Sequence, residues 1–455
     1  MTQTLHLSKI IITNDSEPII GGAFLVENSR IIKIGKKEDF GFLQNSNIKI
    51  IDHGESLICP GFINLHTHLL YSNLNQIDGS EGLFPWLGKL VDSTSGWNEF
   101  DYKNSIKNGI RQLLSSGTTF VVENSPNSLS TKELSDSPLK ALIGLEVFGS
   151  DEEKADEMFS QSLEKMSKCH SQLDWESSTG AQFLDSRFHG NDTKRIDFTF
   201  SPHAPYDVSV PLWRKLIQWA DENGKPLLTH LEESPQEKLW WQEKSGPAVD
   251  FWQKINKLEP KLKYWKKYKS GIDFLYRNNL LNGNIIATHL CQADEEDLNK
   301  LRELNIKLVH CPRSNFYLNN GNADLKLWSE LDFLWGMGTD SSASNLSLDL
   351  LEEIRFTLNL ESIISDFTIS AKDAFQSITS TAAKIINKDS EIGYLKAGYT
   401  GDFLIYDIKD KSGCTYQDPY HLLIWDTDNN KDLKEVWISG EKVFIAEPIL
   451  NKLTS

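Results

Sequence analysis

The chain has 455 residues, of which 39% are hydrophobic and 24% are charged, proportions typical of a globular protein rather than of a disordered or fibrous one. Asp and Glu number 64 against 47 Lys and Arg, which gives a formal net charge of −17. Binding along a nucleic acid requires a basic face that neutralises phosphates, so this charge argues against a nucleic-acid partner.

Membrane and secreted classes are also disfavoured by the sequence. No run of 18 apolar residues occurs, so no membrane-spanning helix is predicted. The first residues, MTQTLHLSKIIITND, lack the basic start and long apolar core of a signal peptide. The five cysteines are odd in number and scattered, without a CxxC pair, as is typical of reduced thiols. These features predict a cytoplasmic enzyme.

Taken in chain order, the elements predict an α/β fold with a segment of short β-strands at each end of the chain. Residues 1–57 contain short strands broken by turns, and residues 388–455 return to that pattern. Between them, residues 58–387 alternate apolar runs with helical patterns, which indicates βαβ units and a parallel sheet. Eight runs are predicted strands: Ile58–Leu65, Thr118–Val122, Leu142–Phe148, Asp197–Ser201, Pro226–Thr229, Asn284–Thr288, Lys307–Val309 and Leu334–Gly338. We therefore expect a (β/α)8 TIM barrel and a small β-sandwich domain built from both chain termini.

Two segments depart from this regular alternation. Residues 170–194 are polar, rich in Ser and Gly and without periodicity, which predicts a surface insert with no catalytic role. Residues 238–270 hold nine lysines and four tryptophans. Basic residues interleaved with aromatics occur in nucleic-acid binding, but we favour an amphipathic helical excursion that packs on the barrel. Because it follows a strand end, this excursion could also roof the active site.

Histidine and aspartate side chains follow the ends of several predicted strands. His66 and His68 lie two apart at the end of the first strand, a spacing that places both side chains on one face. His230, His289 and Asp340 follow strands five, six and eight. The carboxyl ends of barrel strands meet at one mouth, and imidazole and carboxylate groups are ligands for zinc. The alternative, unrelated buried histidines, does not explain this common register.

Glu233 lies three residues after His230, in the segment THLEES. A metal ion lowers the pKa of its bound water towards ~7, and a nearby carboxylate can take up the proton that the water releases. The sequence therefore makes Glu233 the candidate general base. Its neighbour Glu232 is the competing assignment, and two solvated loop glutamates are the structural alternative.

Together, the segments HTH, HLEES, THL, HCPRSN and GTDSSASNLSLDLLEEIR resemble the amidohydrolase superfamily in its deaminase branch. The closing segment IGYLKAGYTGDFLIYD resembles it too. The resemblance implies one divalent metal ion, zinc being expected and iron(II) or manganese being alternatives, with His66, His68, His230 and Asp340 as its ligands. It also implies that His289 orients water or substrate, that Asp340 acts as a base, and that Glu233 transfers a proton to a ring nitrogen.

Within that branch, the sequence resembles aminodeoxyfutalosine deaminases most closely. The resemblance rests on HTHLLYSNL, FPWLGKL, LIGLEVFGS, HAPYDV and THLEES, and it implies deamination of an adenine nucleoside that carries a carboxyphenyl group, in menaquinone synthesis. Methylthioadenosine/S-adenosylhomocysteine deaminases are the first alternative. However, their Met and Leu-Arg-Gly after the HxH pair are replaced here by LYSNLNQIDGS.

Five residues are candidates for substrate contacts. The resemblance assigns this role to His203, which follows the fourth strand, and position suggests it for Glu146 at the end of the third. Glu81 is a candidate for ribose hydroxyls, with Asp78 as an alternative. The remaining candidates each carry a structural alternative: Arg313 could pair with a substrate carboxylate or hold its own loop, and Trp86 could line the base pocket or belong to the core.

Three other functional classes compete with this one. Other amidohydrolases, such as guanine or cytosine deaminases and chlorohydrolases, share the metal chemistry and differ in pocket shape. A non-catalytic scaffold is disfavoured because every ligand is present. A cytidine-deaminase-type zinc site needs HxE with PCxxC, and neither occurs. We expect a small-molecule substrate and no nucleic-acid or membrane partner, and since barrels of this kind often dimerise, a homodimer is one expected assembly.

Overall fold

The computed structural model describes residues 3–43, 48–74, 77–179, 195–411 and 418–445. The N-terminal strands are β1 Gln3–Ile11, β2 Ile19–Glu27, β3 Arg30–Lys36, β4 Lys49–Asp52 and β5 Ser56–Pro60. The central strands are β6 Phe62–Thr67, β7 Thr118–Ser125, β8 Lys140–Val147, β9 Ile196–Pro202, β10 Leu227–Leu231, β11 Ile285–His289, β12 Lys307–His310 and β13 Trp335–Met337. The C-terminal strands are β14 Phe403–Asp407, β15 Leu433–Ile438 and β16 Glu441–Ile445.

Strands from both ends of the chain share one sheet. Its order is β16-β15-β14-β5-β1-β2-β3, and β4 also pairs with β1. The two ends meet where β14 runs antiparallel to β5, with Leu404 opposite Cys59. These strands form one continuous sheet, so their arrangement as a sandwich stays a prediction, as do the domain limits at residues 57 and 388.

The predicted first strand, Ile58–Leu65, was wrong as one element, because the chain breaks at Gly61 between β5 of the terminal sheet and β6. With β6 in its place, the eight central strands correspond to the predicted ones and form two parallel four-stranded sheets, β6-β7-β8-β9 and β10-β11-β12-β13. A few hydrogen bonds join the sheets: His230 N–H donates to His203 O over 2.9 Å, and the N–H groups of Thr339 and Asp340 both donate to His66 O, over 3.1 and 2.9 Å. The prediction of a closed barrel is therefore met only in part, because continuous ladders do not cross these two junctions.

Both junctions have a local cause. At the β9–β10 junction, Pro202 and Pro226 lack the N–H group that a ladder needs. At the other junction, Ile63 N–H of β6 donates to Ile378 O over 2.8 Å, so a helix connection occupies part of the edge that β13 would pair with.

Helices cover the outside of the central strands. They are α1 Leu83–Thr94, α2 Glu99–Ser115, α3 Leu129–Ser135, α4 Ala155–Thr179, α5 Val210–Asn223, α6 Pro235–Glu243, α7 Pro247–Lys254, α8 Leu258–Lys263, α9 Gly271–Arg277, α10 Glu295–Glu303, α11 Pro312–Tyr317, α12 Leu325–Glu330, α13 Ser342–Asn345, α14 Leu350–Ile364, α15 Ala371–Ser377, α16 Ser380–Ile385 and α17 Pro419–His421. The residue types explain where two of these helices begin or end. Asn98 and Asp101 form a capping box at the start of α2, and Gly224 ends α5 with a φ of 60°.

A core cluster inside the central strands is packed by residues of six of them, β6, β7, β8, β10, β11 and β12. Ile63 and Leu65 of β6 pack with Leu142, Leu228 and Ile286 of three other strands. Simple alternation would turn His66 away from this interior. The register with β7 shifts between Asn64 and Thr67, and this β-bulge turns the imidazole of His66 inward.

The two irregular segments have different outcomes. Helix α4 continues to Thr179, so residues 170–179 of the predicted loop are helical, while residues 180–194 lie outside the described residues. The tryptophan-rich segment forms α6, α7 and α8, and it buries Trp240, Trp241 and Trp252. Packing, rather than nucleic-acid binding, accounts for those aromatic side chains. In the described part of the chain, no helix is both long enough and apolar enough to cross a bilayer.

Candidate metal centre and active site

Four predicted ligands converge where the central strands end. His68 Nε2 lies 3.2 Å from His230 Nε2 and 3.5 Å from Asp340 Oδ1. His66 Nε2 lies 3.6 Å from Asp340 Oδ1. His66 and His68 thus approach the carboxylate of Asp340, and His230 of strand β10 lies against His68.

These separations fit a metal ion. Ligand atoms that lie ~2.1 Å from a zinc ion at tetrahedral angles are about 3.4 Å apart, close to the distances observed here. His66 Nε2 is buried and has no hydrogen-bond partner among the described residues, which a native protein rarely leaves unexplained. Three imidazoles and one carboxylate can therefore hold a divalent ion, and this donor set accepts several metals.

The second nitrogen of each of three imidazoles contacts a neighbouring group. His230 Nδ1 lies 2.8 Å from His203 O, and His289 Nδ1 lies 2.8 Å from Asn315 Oδ1. Both acceptors require a proton on Nδ1, so Nε2 is left with its lone pair towards the site. His66 Nδ1 lies 2.8 Å from the amide of Asn124, which holds the ring in place.

Asp340 and His289 sit at the strand ends with unusual backbone. Their φ angles are 57° and 81°, in the left-handed region that non-glycine residues rarely adopt and that is concentrated at functional sites. Burial alone would raise the pKa of Asp340, but the neighbouring imidazoles of His66 and His68 hold that pKa well below its usual range. The carboxylate is thus ionised, as a metal ligand must be.

Glu233 lies beside these residues. Its Oε2 is 3.8 Å from His289 Nε2, and its Oε1 accepts a hydrogen bond from Asn320 Nδ2 over 3.0 Å. Burial, followed by the negative charge of Asp340, raises the pKa of Glu233 to about 8. A carboxyl group with such a pKa can both accept and donate a proton near neutral pH.

Glu232, the competing candidate, is held elsewhere. Its Oε1 accepts a hydrogen bond from Gly271 N–H, and burial together with the charge of Glu237 raises the pKa of Glu232 well above its usual value. No described contact joins the carboxyl group of Glu232 to the four predicted ligands, so the geometry favours Glu233.

Two predicted substrate contacts border the same centre. Glu146 Oε1 lies 3.9 Å from His68 Nδ1 and is buried without a hydrogen-bond partner among the described residues. The ring of His203 lies 4.8 Å from that of His230, and its Nδ1 is 2.7 Å from Asp207 Oδ2. Both residues therefore stay candidates for substrate contact.

Three other residues that were predicted to contact the substrate interact with other parts of the protein. Arg313 Nη1 donates to Ser347 Oγ over 2.9 Å and lies 3.7 Å from Glu353 Oε1, which favours the loop-holding alternative. Glu81 is exposed, and its carboxylate lies 2.9 Å from Lys89 Nζ. Trp86 is buried in the main core cluster, as the structural alternative for this residue proposes.

Sequence reasoning missed the groups that hold these side chains. Asn124, Asn315 and Asn320 contact His66, His289 and Glu233; Asn124 lies on β7, Asn315 on α11 and Asn320 in the loop after α11. Asparagine is common in turns, so none of them carried a signal of its own. Only Asn315 lies within one of the family-like motifs, HCPRSN.

Comparisons with known proteins give matches over most of the chain. The model of the Amidohydrolase family matches residues 57–443. The 5-methylthioadenosine/S-adenosylhomocysteine deaminase 1 of Syntrophus aciditrophicus (strain SB) is 27% identical over 427 residues, which cover 93% of this chain and 87% of that protein.

Two solved structures share the fold. The Helicobacter pylori aminofutalosine deaminase in complex with methylthio-coformycin matches with a TM-score of 0.75 and 23% identity, covering 97% of this chain and 100% of the other. An adenosine deaminase from Xanthomonas campestris with bound zinc also gives a TM-score of 0.75, at 20% identity, covering 98% of this chain and 93% of the other. These matches support a TIM-barrel-type fold with a small domain.

The family match spans most of the chain, and the similar proteins named above are deaminases. The resemblance drawn from the sequence motifs is thereby confirmed. The chain belongs to the amidohydrolase family, in its deaminase branch, and is a hydrolase that acts on carbon–nitrogen bonds.

Proposed function

We propose that this protein is a metal-dependent deaminase of an adenine-type nucleoside. The observation that carries this proposal is the grouping of His66 and His68 with Asp340, with His230 Nε2 against His68 Nε2 and Glu233 close to His289. The four ligands would hold one divalent ion, and zinc is the metal we propose, since the donor set suits it. When bound, that ion supplies an acidified water as nucleophile at neutral pH.

The protein's own residues would move the protons. Glu233 takes up the proton released by the water and delivers it to the ring nitrogen next to C6, so that negative charge does not build up on the ring. Asn320 holds one oxygen of that carboxyl group. His289, fixed by Asn315, orients the water, and Asp340 accepts a hydrogen bond or proton from it.

The reaction balances as a hydrolysis. The water oxygen forms a bond with C6 of the adenine ring, the bond between C6 and the exocyclic nitrogen breaks, and ammonia leaves after a second proton transfer. Residues that fix groups in one geometry before reaction lower the barrier. The burial of this cluster also strengthens each electrostatic contact.

For the substrate, we propose aminodeoxyfutalosine. The motifs HTHLLYSNL and HAPYDV favour it, and the structural match to an aminofutalosine deaminase is compatible with it. Methylthioadenosine and S-adenosylhomocysteine are the second candidates, because the similar proteins include a deaminase of these two nucleosides.

The two candidates are separated by comparing kcat/KM for the three nucleosides on zinc-loaded protein, with ammonia release and purine absorbance read in parallel. We expect kcat/KM for aminodeoxyfutalosine to exceed the other values by at least about tenfold. A preference for methylthioadenosine or S-adenosylhomocysteine would overturn the choice of substrate and leave the deaminase assignment in place. No ammonia from any adenine nucleoside would overturn both.

A further inference from the structure

His203 contacts the candidate site on one side and, through Asp207, the charged side chain of Lys261 on the other. Its main-chain oxygen accepts the hydrogen bond from His230 Nδ1 over 2.8 Å, and its imidazole Nδ1 lies 2.7 Å from Asp207 Oδ2. The ring of Phe148 packs at 4.6 Å from the ring of His203. The Nδ1 nitrogen of His203 thus lies in ion-pair contact with Asp207, and Nε2 is the nitrogen left for a substrate.

The other oxygen of Asp207 pairs with a buried lysine. Lys261 Nζ contacts Asp207 Oδ1 and donates a hydrogen bond to Tyr206 O over 2.8 Å. It also lies 4.5 Å from the centre of the Trp252 ring. The side chain of Lys261 is only 4% exposed, although lysine is almost never fully buried unless it is paired.

Lys261 belongs to the tryptophan-rich helices and not to the central strands. Helices α6, α7 and α8 follow β10, and α8 places Lys261 against the loop that carries Asp207. Burial would raise the pKa of Asp207, but the charge of Lys261 and the hydrogen bond from His203 hold it well below its usual range. A buried carboxylate that is ionised needs such a partner.

From this geometry we propose that Lys261 is a positioning residue for substrate binding, which acts through Asp207 to fix the His203 imidazole with Nε2 available to the nucleoside. The proposal rests on the proposed function, since it assigns the nucleoside to the site that His203 borders. It also gives the tryptophan-rich helices a role in binding: they supply the cation that the Asp207 carboxylate needs.

The first test compares kinetics of Lys261→Met with those of the wild type, using aminodeoxyfutalosine and methylthioadenosine as probes. An interaction that holds the substrate equally in ground and transition states affects KM rather than kcat. We expect KM to rise about tenfold or more, the usual scale for losing a partner that orients a functional residue, with little change in kcat or zinc content. Lys261→Arg, which keeps the charge, should recover most of the loss.

The matched control is Lys263→Met. Lys263 lies on the same helix, is half exposed and pairs with Glu153 at the surface over 2.8 Å, so its loss should leave KM unchanged. An equal rise of KM in both lysine variants would contradict the proposal, because it would point to a general disturbance of α8.

A double-mutant cycle separates positioning from structural support. In a His203→Ala background, Lys261→Met should add no further rise in KM, because the residue through which Lys261 acts is gone. Additive effects of the two substitutions would overturn the proposal.

If Lys261→Met fails to fold, the paired variant Asp207→Leu with Lys261→Met removes both buried charges. That variant should regain stability and keep the raised KM, whereas a KM that recovers with stability would indicate structural support alone.

A crystal structure of metal-loaded Lys261→Met, or of the paired variant, provides a readout independent of any substrate. We expect the His203 ring to leave the position that it occupies beside residue 207. A ring that stays in place would overturn the positioning role, even if the wild-type protein released ammonia from a nucleoside. Conversely, wild-type protein that deaminates no adenine nucleoside would overturn the proposed function, while this structure would still decide whether Lys261 positions His203.

Discussion

Three of the imidazoles in the candidate site are held by partners that lie outside the cluster. His66 is held by Asn124, His230 by a main-chain oxygen, and His289 by Asn315. Such partners fix the ring and its tautomer before a metal ion binds. The residue types and strand ends identified the ligands from sequence, but these partners come from distant positions and required the structure.

The role of Glu233 can be tested by replacing the carboxyl group. We expect Glu233→Gln to lower kcat about 100-fold or more, the scale of a lost acid–base group, because the amide cannot take up the proton from the water. Zinc content, measured by elemental analysis, should match the wild type. Glu232→Gln is the control, since its carboxyl group is held by Gly271. A large loss in Glu232→Gln with activity retained in Glu233→Gln would reverse the assignment.

At the scale of elements, period-two and helical patterns located the central strands and the principal helices between them. The β-bulge in β6 was not visible in that pattern, and it decides which way His66 points. The prediction of a loop from residue 170 was wrong, because α4 continues to Thr179. Residues 170–179 hold only Leu173 and Trp175 as large apolar residues, too few to show the apolar stripe by which amphipathic helices are recognised.

The junction between β13 and β6 depends on a glycine. A Cβ at Gly338 would lie 2.6 Å from His66 Cβ and 2.8 Å from His66 N, so Gly338→Ala must displace the strand that carries two predicted ligands. We expect zinc affinity to fall by about tenfold or more, as measured by competition with a chelator. Gly96→Ala is the control, because a Cβ at that position would have no neighbouring atom within 4 Å among the described residues. Unchanged affinity in Gly338→Ala would show that the junction tolerates the displacement.

At the scale of the whole molecule, the sequence predicted that both chain ends belong to one small unit, and β14 does pair with β5. The two gaps between the central sheets were not predicted, because hydrogen bonds between strands that are distant in sequence leave little trace in local patterns. An ion pair also joins the two parts of the molecule: Lys140 Nζ of β8 lies 2.7 Å from Asp402 Oδ2, which precedes β14, and both side chains are largely buried.

Breaking that ion pair should destabilise the fold without altering the site. Lys140→Met leaves the Asp402 carboxylate buried and unpaired, which costs about 3 kcal/mol, so the melting temperature should fall while zinc content stays the same. Lys103→Met removes an exposed pair with Glu99 and should change stability by less than about 1 kcal/mol. Similar melting temperatures for the two variants would show that the Lys140–Asp402 pair does not hold the terminal sheet to the central strands.

The most direct test of the account is the dependence of ammonia release on zinc. Protein stripped with a chelator would be titrated with zinc, and ammonia release from aminodeoxyfutalosine and methylthioadenosine would be measured at each step. We expect no release at the start and a linear rise that ends at about one zinc ion per chain, with His66→Ala failing to recover. Full activity in the stripped protein, or no ammonia from either nucleoside at full zinc loading, would contradict the proposal that this site is a metal-dependent adenine-nucleoside deaminase.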